Sequence, residues 1–500
     1  MTFHGFDVDR LTTFAGSLDT LAGHATGLHQ QLSTVLNTVQ ANLPPGQHAS
    51  NHADLQQLVG ASSGSGDTGF WGALPGIIGR STMMPGRLTG ELGSMQGEIK
   101  RRITQLKGVV AFEGAGYPVD DASVFLDEGA PDGAKVDNAL KALQGLQNAD
   151  FGANGDSDDL AKVDDLLSGL NSAELDAVVS KADPATLAHY NELLNDHDDS
   201  LWNPLDHNGV STTTRDALLQ SLLSRLGPEN FAKFTTAFPS VQPIYTNTMA
   251  YKDGQNPQNQ VNGVGLHWGT PTDPLFNGPV SVNDIHQRGI GDCWYFASLD
   301  ALAQRNPQFI QDGIKQNPNG TVSVRIWDKN GDFHWVTVTP DILMDGNGNP
   351  VSATGNGDTW PAYYEKAFAL AYGGKDGYGG IEGDWPSNAM PYISGHSGHD
   401  VETGGFLGMG KHDDMDIGDL KKLYDSGKGI TVSAPDGDEK NLPKDAPQGY
   451  VTNHAYSVSG FTDDGKIVLS NPWDPGNLKL TVTQEQFKKY FTNPQEFDIP

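Results

Sequence analysis

The chain has 500 residues, 37% of them hydrophobic, a composition typical of a globular protein with two to four domains. With 32 Lys and Arg against 62 Asp and Glu, the formal charge of −30 would repel nucleic acid and anionic membranes, so neither is an expected partner. The N-terminus lacks the basic start and apolar core of a signal peptide, and no apolar run reaches the ~20 residues that cross a bilayer.

Two hydrophobic stripes predict a helical hairpin near the N-terminus. In both segments apolar residues recur every three or four positions, which is the spacing of an amphipathic helix. The first stripe runs from Leu11 to Val39 and includes Phe14, and the second runs from Leu88 to Val110. We assign residues 1–122 to this hairpin.

Residues 134–240 carry four further helical patterns separated by Asn, Asp, Gly and Pro, which predicts an all-helical domain. The segment 241–270 is polar and rich in Gly, Asn and Gln, as expected of a linker. Beyond it, strand-like runs such as "TVSVRIWD" alternate with helical ones such as "AYYEKAFALAY". The expected fold is therefore multidomain, with an all-α N-terminal half followed by an α+β C-terminal half.

The only cysteine of the chain, Cys293, lies in the stretch "QRGIGDCWYFASLDAL". The glycines before it allow a tight turn, and the residues after it have helical spacing. A helix N-terminus lowers the pKa of a thiol and so favours the reactive thiolate. An isolated cysteine is also often a small buried hydrophobic residue, so the local pattern alone leaves both interpretations open.

Two distant segments favour the reactive thiol. "TNHAYSVSGF" contains His454 in a strand-like run, and "LSNPW" contains Asn471 shortly afterwards. A cysteine, a histidine and an asparagine in this chain order form the constellation of papain-like chemistry, in which the amide orients the imidazole.

These segments resemble the calpain-like cysteine proteases. "QRGIGDCW" is similar to the family's Gln-x-Gly-x-x-Gly-Asp-Cys-Trp motif, "NHAYSV" to its Gly-His-Ala-Tyr-Ser-Val, and "NPW" to its Asn-Pro-Trp. The resemblance covers residues 271–500 and implies a papain-like, two-lobed protease core. One lobe is expected at about 271–360, mostly helical around the cysteine, and a β-rich lobe is expected at about 361–500.

The resemblance also implies roles for individual residues. Cys293 would be the nucleophile, His454 the general base and acid, and Asn471 the acceptor that orients the imidazole. Gln287 would donate to the oxyanion hole together with the Cys293 N–H. Trp473 would support the cleft by shielding the bond between Asn471 and His454.

The sequence departs from the family pattern at two positions beside the site. Asn453 precedes the histidine where the family usually has Gly, and Asp474 follows Trp473 where Gly is usual. The chemistry requires no cofactor, but many calpains use calcium, and the resemblance makes Asp284 the candidate metal ligand. The run "DGNGNPVSATGN" from Asp345 lacks the Gly and Glu of an EF-hand loop, so we expect a β-hairpin turn there.

The helical hairpin resembles the substrates of actinobacterial type VII secretion, which carry a Tyr followed four residues later by an acidic residue. Here the pair is Tyr117 and Asp121, and Trp71 lies between the two stripes. This resemblance implies the type VII machinery as a partner. The rival interpretation is an inhibitory or substrate-recruiting module, and the localisation is then either cytoplasmic or secreted without a classical signal peptide.

The sequence thus predicts a calpain-like cysteine endopeptidase that hydrolyses peptide bonds in protein or peptide substrates through a Cys293 acyl-enzyme, with a secreted effector as one setting. Two alternatives remain. A thiol-dependent deamidase or transglutaminase toxin would keep the nucleophile but change the reaction, and an inactive scaffold would keep only the fold.

Overall fold

The computed structural model describes residues 12–21 with isolated positions up to 34, and then 85–117, 129–146, 157–195, 212–245, 265–328, 331–401, 416–438 and 441–500. Trp71, Asp121 and most of the predicted linker lie outside these residues. The chain divides into two compact units. The first contains the described residues up to Asp137 together with Asn171–Ala177, and the second contains Asn138–Leu170 and Val178–Pro500.

The first unit contains helical residues 12–21 and the helix Pro85–Gly114. The two run side by side where Lys100 Nζ lies 4.0 Å from Asp19 Oδ2. The predicted stripes are partly wrong, because Phe14 and Val110 are 49% and 58% exposed while Val109 is buried. Val109 continues the face of the buried Leu106, and the next position, Val110, points about 100° away around the helix.

The four helical patterns predicted between residues 134 and 240 are confirmed as the helices Ser157–Ser168, Ser172–Lys181, Pro184–Asn195 and Thr212–Leu223. Two further helices, Gly133–Gly145 and Phe231–Ala237, were not predicted, and 3-10 turns lie at Pro228–Asn230 and Pro239–Val241. Their starts follow ordinary capping rules. For example, Pro184 takes the first helical position, and the Asp183 carboxylate accepts the Ala185 N–H at 2.8 Å. The domain boundaries proposed from the sequence stay predictions.

The rest of the second unit is mixed α and β, as expected. Its strands are β1 His267–Gly269, β2 Ile314–Gln316, β3 Val322–Trp327, β4 Phe333–Val338, β5 Ile342–Met344, β6 His399–Asp400, β7 Gly429–Ala434, β8 His454–Phe461, β9 Ile467–Ser470, β10 Lys479–Val482 and β11 Thr492–Phe497. They form antiparallel sheets in the orders β1-β5, β2-β3-β4 and β10-β9-β8-β7-β11-β6. Its helices are Cys293–Arg305, Pro307–Asp312, Trp360–Ala371, Pro386–Ser394, Ile417–Asp425 and Gln484–Tyr490, with 3-10 turns at Val282–Asp284 and Gly374–Ile381.

Two hydrophobic cores underlie this region. The first contains the helix Cys293–Arg305, called the cysteine helix below, and continues through the helix Trp360–Ala371 to Ile393. The second lies between 417 and 491 and contains most of the six-stranded sheet. The helices Trp360–Ala371 and Pro386–Ser394 both belong to the first core, and the second of them packs directly on the cysteine helix. The boundary between the lobes that the sequence analysis placed at about residue 360 stays a prediction.

Helices of the N-terminal half are attached to this region by hydrogen bonds. The Asn319 amide donates to the carbonyls of Leu223 and Leu226 at 2.9 and 2.8 Å, which satisfies the C-terminal end of the helix Thr212–Leu223. The Gln220 side chain accepts the backbone N–H of Thr337 in β4. The helix thus closes one side of the three-stranded sheet.

The turn at Asp345 is a hairpin turn, as predicted. Its carboxylate accepts the backbone N–H groups of Asn347 and Asn349 at 2.9 and 2.8 Å, and Met344 bridges Pro350 across the turn. Both short bonds occupy the same carboxylate oxygen, which explains the turn without a metal.

Candidate active site

Cys293 is the first residue of the cysteine helix, where free backbone N–H groups meet the side chain. The sulfur is half-buried, and the backbone N–H groups of Ala455, Trp294 and Cys293 itself lower the pKa of the thiol. Trp294 anchors the helix start, since its indole N–H donates to the Ile381 carbonyl at 2.8 Å. The predicted helix start is confirmed, and it faces the residue that follows His454.

His454 opens β8 and Asn471 directly follows β9, so the pairing of these two strands brings them together. The His454 Nε2 and Asn471 Oδ1 atoms are 2.9 Å apart, and the same oxygen accepts the backbone N–H of Trp473 at 2.9 Å. The Trp473 ring lies 4.9 Å from the imidazole centroid. Since Nε2 contacts the amide oxygen, Nδ1 is the ring nitrogen left for proton transfer.

The two departures from the family pattern have structural explanations. Asn453 has a φ of +48°, a left-handed conformation that Gly adopts freely and Asn tolerates better than most residues. Asp474 Oδ1 lies 3.5 Å from Nε2 of His286, which precedes Gln287. Burial lowers the pKa of His286, so this is a contact between a mostly neutral imidazole and a carboxylate. The sequence analysis missed the contact, although the unusual Asp474 was its available signal. It joins the Gln287 loop to the segment that carries Asn471.

Burial favours the neutral forms of both reacting groups. It raises the pKa of the Cys293 thiol to about 12, although the three backbone N–H groups lower it. It lowers the pKa of His454 to about 4, although the Asn471 bond raises it. The resting forms are therefore a protonated thiol and a neutral imidazole, so a proton has to leave the thiol when the sulfur attacks.

This charge state predicts how Cys293 reacts with iodoacetamide when no substrate is present. Only the thiolate reacts, so the rate should rise with pH up to 9 without a plateau. Intact-protein mass spectrometry at each pH would measure the rate. A constant rate between pH 5 and 8 would instead show a preformed thiolate–imidazolium pair.

Gln287 lies in a buried loop beside Asn471. Its backbone N–H donates to the Pro472 carbonyl at 2.9 Å, and its side-chain Nε2 donates to the Ile290 carbonyl at 2.8 Å. The side chain is 1% exposed, so the loop fixes its position. The Asn471, Cys293 and Gln287 segments thus come together around one end of the cysteine helix.

Asp284, the candidate calcium ligand, is buried and used within its own turn. Its carboxylate accepts the Ser281 N–H at 2.8 Å and the Trp360 indole N–H at 3.1 Å, and the Asn356 amide lies 3.4 Å away. Calcium needs six to eight oxygen ligands, and these donors leave Asp284 poorly suited to it. Across the described ranges, no group of three His, Cys, Asp or Glu side chains is placed to hold a metal ion.

A fold with a thiol at a helix start and an imidazole held by an amide is that of a cysteine-type endopeptidase domain. Comparison with known proteins agrees. Residues 242–481 match the calpain family cysteine protease profile, so this part of the chain is a calpain-family cysteine protease domain.

None of the helices in the described ranges has both the length and the apolar character that a bilayer crossing requires.

Individual relatives support the same assignment. A calpain-type cysteine protease of Zea mays is 26% identical over 289 residues, 53% of this chain and 12% of that protein. Calpain-5 of Caenorhabditis elegans is 28% identical over 220 residues, 40% of this chain and 32% of the relative. A thiol protease of Porphyromonas gingivalis is 26% identical over 264 residues, 48% and 52% of the two chains. The chain thus spans about half or less of the length of these relatives.

Proposed function

We propose that this protein is a calpain-like cysteine endopeptidase that hydrolyses peptide bonds in protein substrates. The observation that carries the proposal is the His454–Asn471 contact of 2.9 Å, next to Ala455, whose N–H points at the Cys293 sulfur. The contact fixes the ring so that Nδ1 is available to the thiol, and a general base of this kind requires such a fixed orientation.

The chemistry follows from these positions. His454 Nδ1 takes the thiol proton as the sulfur attacks the peptide carbonyl, and the carbonyl oxygen becomes an oxyanion. The Gln287 amide and the Cys293 N–H stabilise that charge. The C–N bond then breaks, His454 returns the proton to the leaving amine, and a thioester remains on Cys293. Water, deprotonated by His454, hydrolyses the thioester and restores the thiol.

Cleavage of unfolded casein, followed on gels, tests the proposal. The full chain should cut casein, and a Cys293→Ala variant should not. No metal takes part in the steps above, so a chelator should leave the rate unchanged, whereas loss of cleavage with chelator would revive a calcium requirement. A mass shift on a substrate glutamine without chain cleavage would favour the deamidase or transglutaminase instead. A folded protein that neither cuts casein nor reacts at Cys293 would be a scaffold.

Gln287→Ala is expected to lower kcat by about 10²–10³, because one donor to the oxyanion is lost. Initial rates on a peptide substrate measure the effect. The matched control is Gln308→Ala, since Gln308 donates only to the exposed Asp312 carboxylate. An unchanged kcat for Gln287→Ala would remove this residue from the oxyanion hole.

We also propose that the enzyme is exported by a type VII secretion system. This requires the secretion machinery to recognise Tyr117. In the structure the Tyr117 ring stacks on Phe112, and its hydroxyl donates to Asp137 Oδ1 at 2.7 Å and to the Gly133 carbonyl at 3.2 Å. Tyr117→Phe keeps the ring and removes only these bonds, so export of this variant at the normal level would show that the hydroxyl is not read.

A further inference from the structure

A buried carboxyl group joins the cysteine helix to the strand that carries His454. Asp300 lies two helical turns after Cys293, and Ser457 lies three residues after His454. Both side chains are fully buried. Ser457 Oγ donates to Asp300 Oδ2, and the Gln304 amide contacts both partners, at 3.0 Å to Asp300 Oδ2 and 3.1 Å to Ser457 Oγ.

The periodicity of the cysteine helix and of β8 places Asp300, Gln304 and Ser457 in the contact between the two elements, further along it than Cys293 and Ala455. Positions 293, 297, 300 and 304 fall on one face of the cysteine helix. Alternate residues of a strand point to opposite faces, so Ala455 and Ser457 share the face towards that helix, while His454 and Tyr456 share the other. Ala455 belongs to the core around the cysteine helix, and Tyr456 belongs to the core between 417 and 491.

The contact between the cysteine helix and β8 therefore has two ends. At one end the Ala455 N–H meets the Cys293 sulfur, and at the other Ser457 meets Asp300. A slip of the helix along the strand would break the buried Asp300–Gln304–Ser457 bonds and would move the sulfur relative to the imidazole. If these buried hydrogen bonds break, the polar atoms cannot bond to water instead, because water does not reach them, so breaking them is costly.

We propose that Asp300, Gln304 and Ser457 are positioning residues that hold Cys293 in register with His454. This proposal rests on the proposed function, since it assigns the spacing of the two reacting groups to a cluster that touches neither the substrate nor the thiol.

The protonation state of Asp300 makes the contribution of the cluster to stability depend on pH. Burial raises its pKa to about 7, while Ser457, Gln304 and Lys479 lower it. The adjacent elements Gly429–Ala434 and Pro386–Ser394 contain no Asp, Glu, Lys, Arg or His. The remaining Asp, Glu, Lys, Arg and His residues on packed elements are Arg305, His454, Asp312 and Asp284, and the other ionisable groups there are Cys293, Tyr295, Tyr392 and Tyr456. Among these groups and Lys479, it is Lys479 whose charge acts on Asp300.

The sign of the linkage is fixed by this raised pKa. Between about pH 4 and pH 7 the unfolded chain has lost the Asp300 proton while the folded chain keeps it, so unfolding releases a proton and stability falls as pH rises. Asp300→Asn has the same shape and cannot ionise. The Tm of the wild type relative to Asp300→Asn should therefore decrease from pH 4 to pH 7 and level off above.

The positioning role is tested by the rate at which iodoacetamide alkylates Cys293, which requires no peptidase activity. Ser457→Ala and Asp300→Ala should lower the rate at least about tenfold, because a slip would move the sulfur away from the Ala455 N–H, which lowers the pKa of the thiol, and a thiol pKa one unit higher leaves about tenfold less thiolate. Asp300→Asn should stay within about threefold of the wild type, because it keeps the shape of Asp300. Ser459→Ala is the matched control on the same strand, because its hydroxyl donates to the Val468 carbonyl instead. Circular dichroism confirms that each variant is folded.

A wild-type alkylation rate in folded Ser457→Ala would overturn the proposal, even if Asp300→Ala does not fold. An Asp300→Asn variant as slow as Asp300→Ala would also overturn it, because the cluster would then act through charge and not through its bonds. If the wild type reacts with iodoacetamide but does not cut casein, the proposed function fails while these comparisons still decide the role of the cluster.

Discussion

Replacing His454 with alanine is expected to lower kcat by about three orders of magnitude, because a positioned general acid–base typically contributes 10²–10⁴. The imidazole is needed twice, first to take the thiol proton and then to protonate the leaving amine. The effect should be large at neutral pH because burial keeps the Cys293 thiol protonated, with a pKa of about 12. Without His454, the base that the proposed mechanism assigns to that proton is missing.

Steady-state rates on a peptide substrate measure the loss. The control is His334→Ala, since His334 is an exposed residue of β4. Combining His454→Ala with Cys293→Ala should add almost nothing, because residues that act as one unit lose their contribution together. Near-normal turnover in the single His454 variant would show that another group is the base.

A chain reduced to residues 265–500 is expected to be less stable than the full chain and no faster. It lacks the helix Thr212–Leu223, whose Leu222 and Leu223 are buried, and it leaves Asn319 without the two carbonyls it binds. It also lacks Gln242, which donates to Thr339 Oγ1 at 2.5 Å. A hydrogen bond contributes about 1 kcal/mol to stability, so the three bonds lost at Asn319 and Gln242 correspond to about 3 kcal/mol. That corresponds to a Tm lower by roughly 6–12 °C.

Differential scanning calorimetry of the two chains measures this shift. The full chain carrying Asn319→Ala should shift in the same direction by a smaller amount, since it loses only the bonds at the helix end. A 265–500 chain with the Tm of the full chain and a higher turnover would instead identify the helical half as an inhibitory module, which is the rival interpretation of that region.

The residues proposed for the site could be picked out of the sequence because they lie in short segments with characteristic neighbours. Cys293 stands at a turn followed by helical spacing, and His454 and Asn471 stand at the start of one strand and after the end of the next. In the structure, strand pairing brings His454 Nε2 to 2.9 Å from Asn471 Oδ1. The order of these residues in the sequence suggests such a contact but gives no distance. Asn453 was noticed as a departure, and its positive φ gives the reason for it.

Other features depend on packing that no local pattern encodes. Val109 and Val110 are equally apolar, and only the partner helix decides which is buried. The sequence analysis placed the helix Trp360–Ala371 in the later lobe, and its residues belong to the core around the cysteine helix. Asp300 is one acidic residue among 62 Asp and Glu in the sequence, and its burial against Ser457 becomes visible only when helix and strand are placed together.

The most direct test of the account is to trap the covalent intermediate. The full chain would be mixed with an activated peptide ester, quenched with acid during turnover, digested and analysed by mass spectrometry. The account predicts the acyl group of the peptide on Cys293, and its absence in the Cys293→Ala variant. Turnover without any adduct on Cys293, or an adduct on another residue that remains in the alanine variant, would contradict a cysteine endopeptidase.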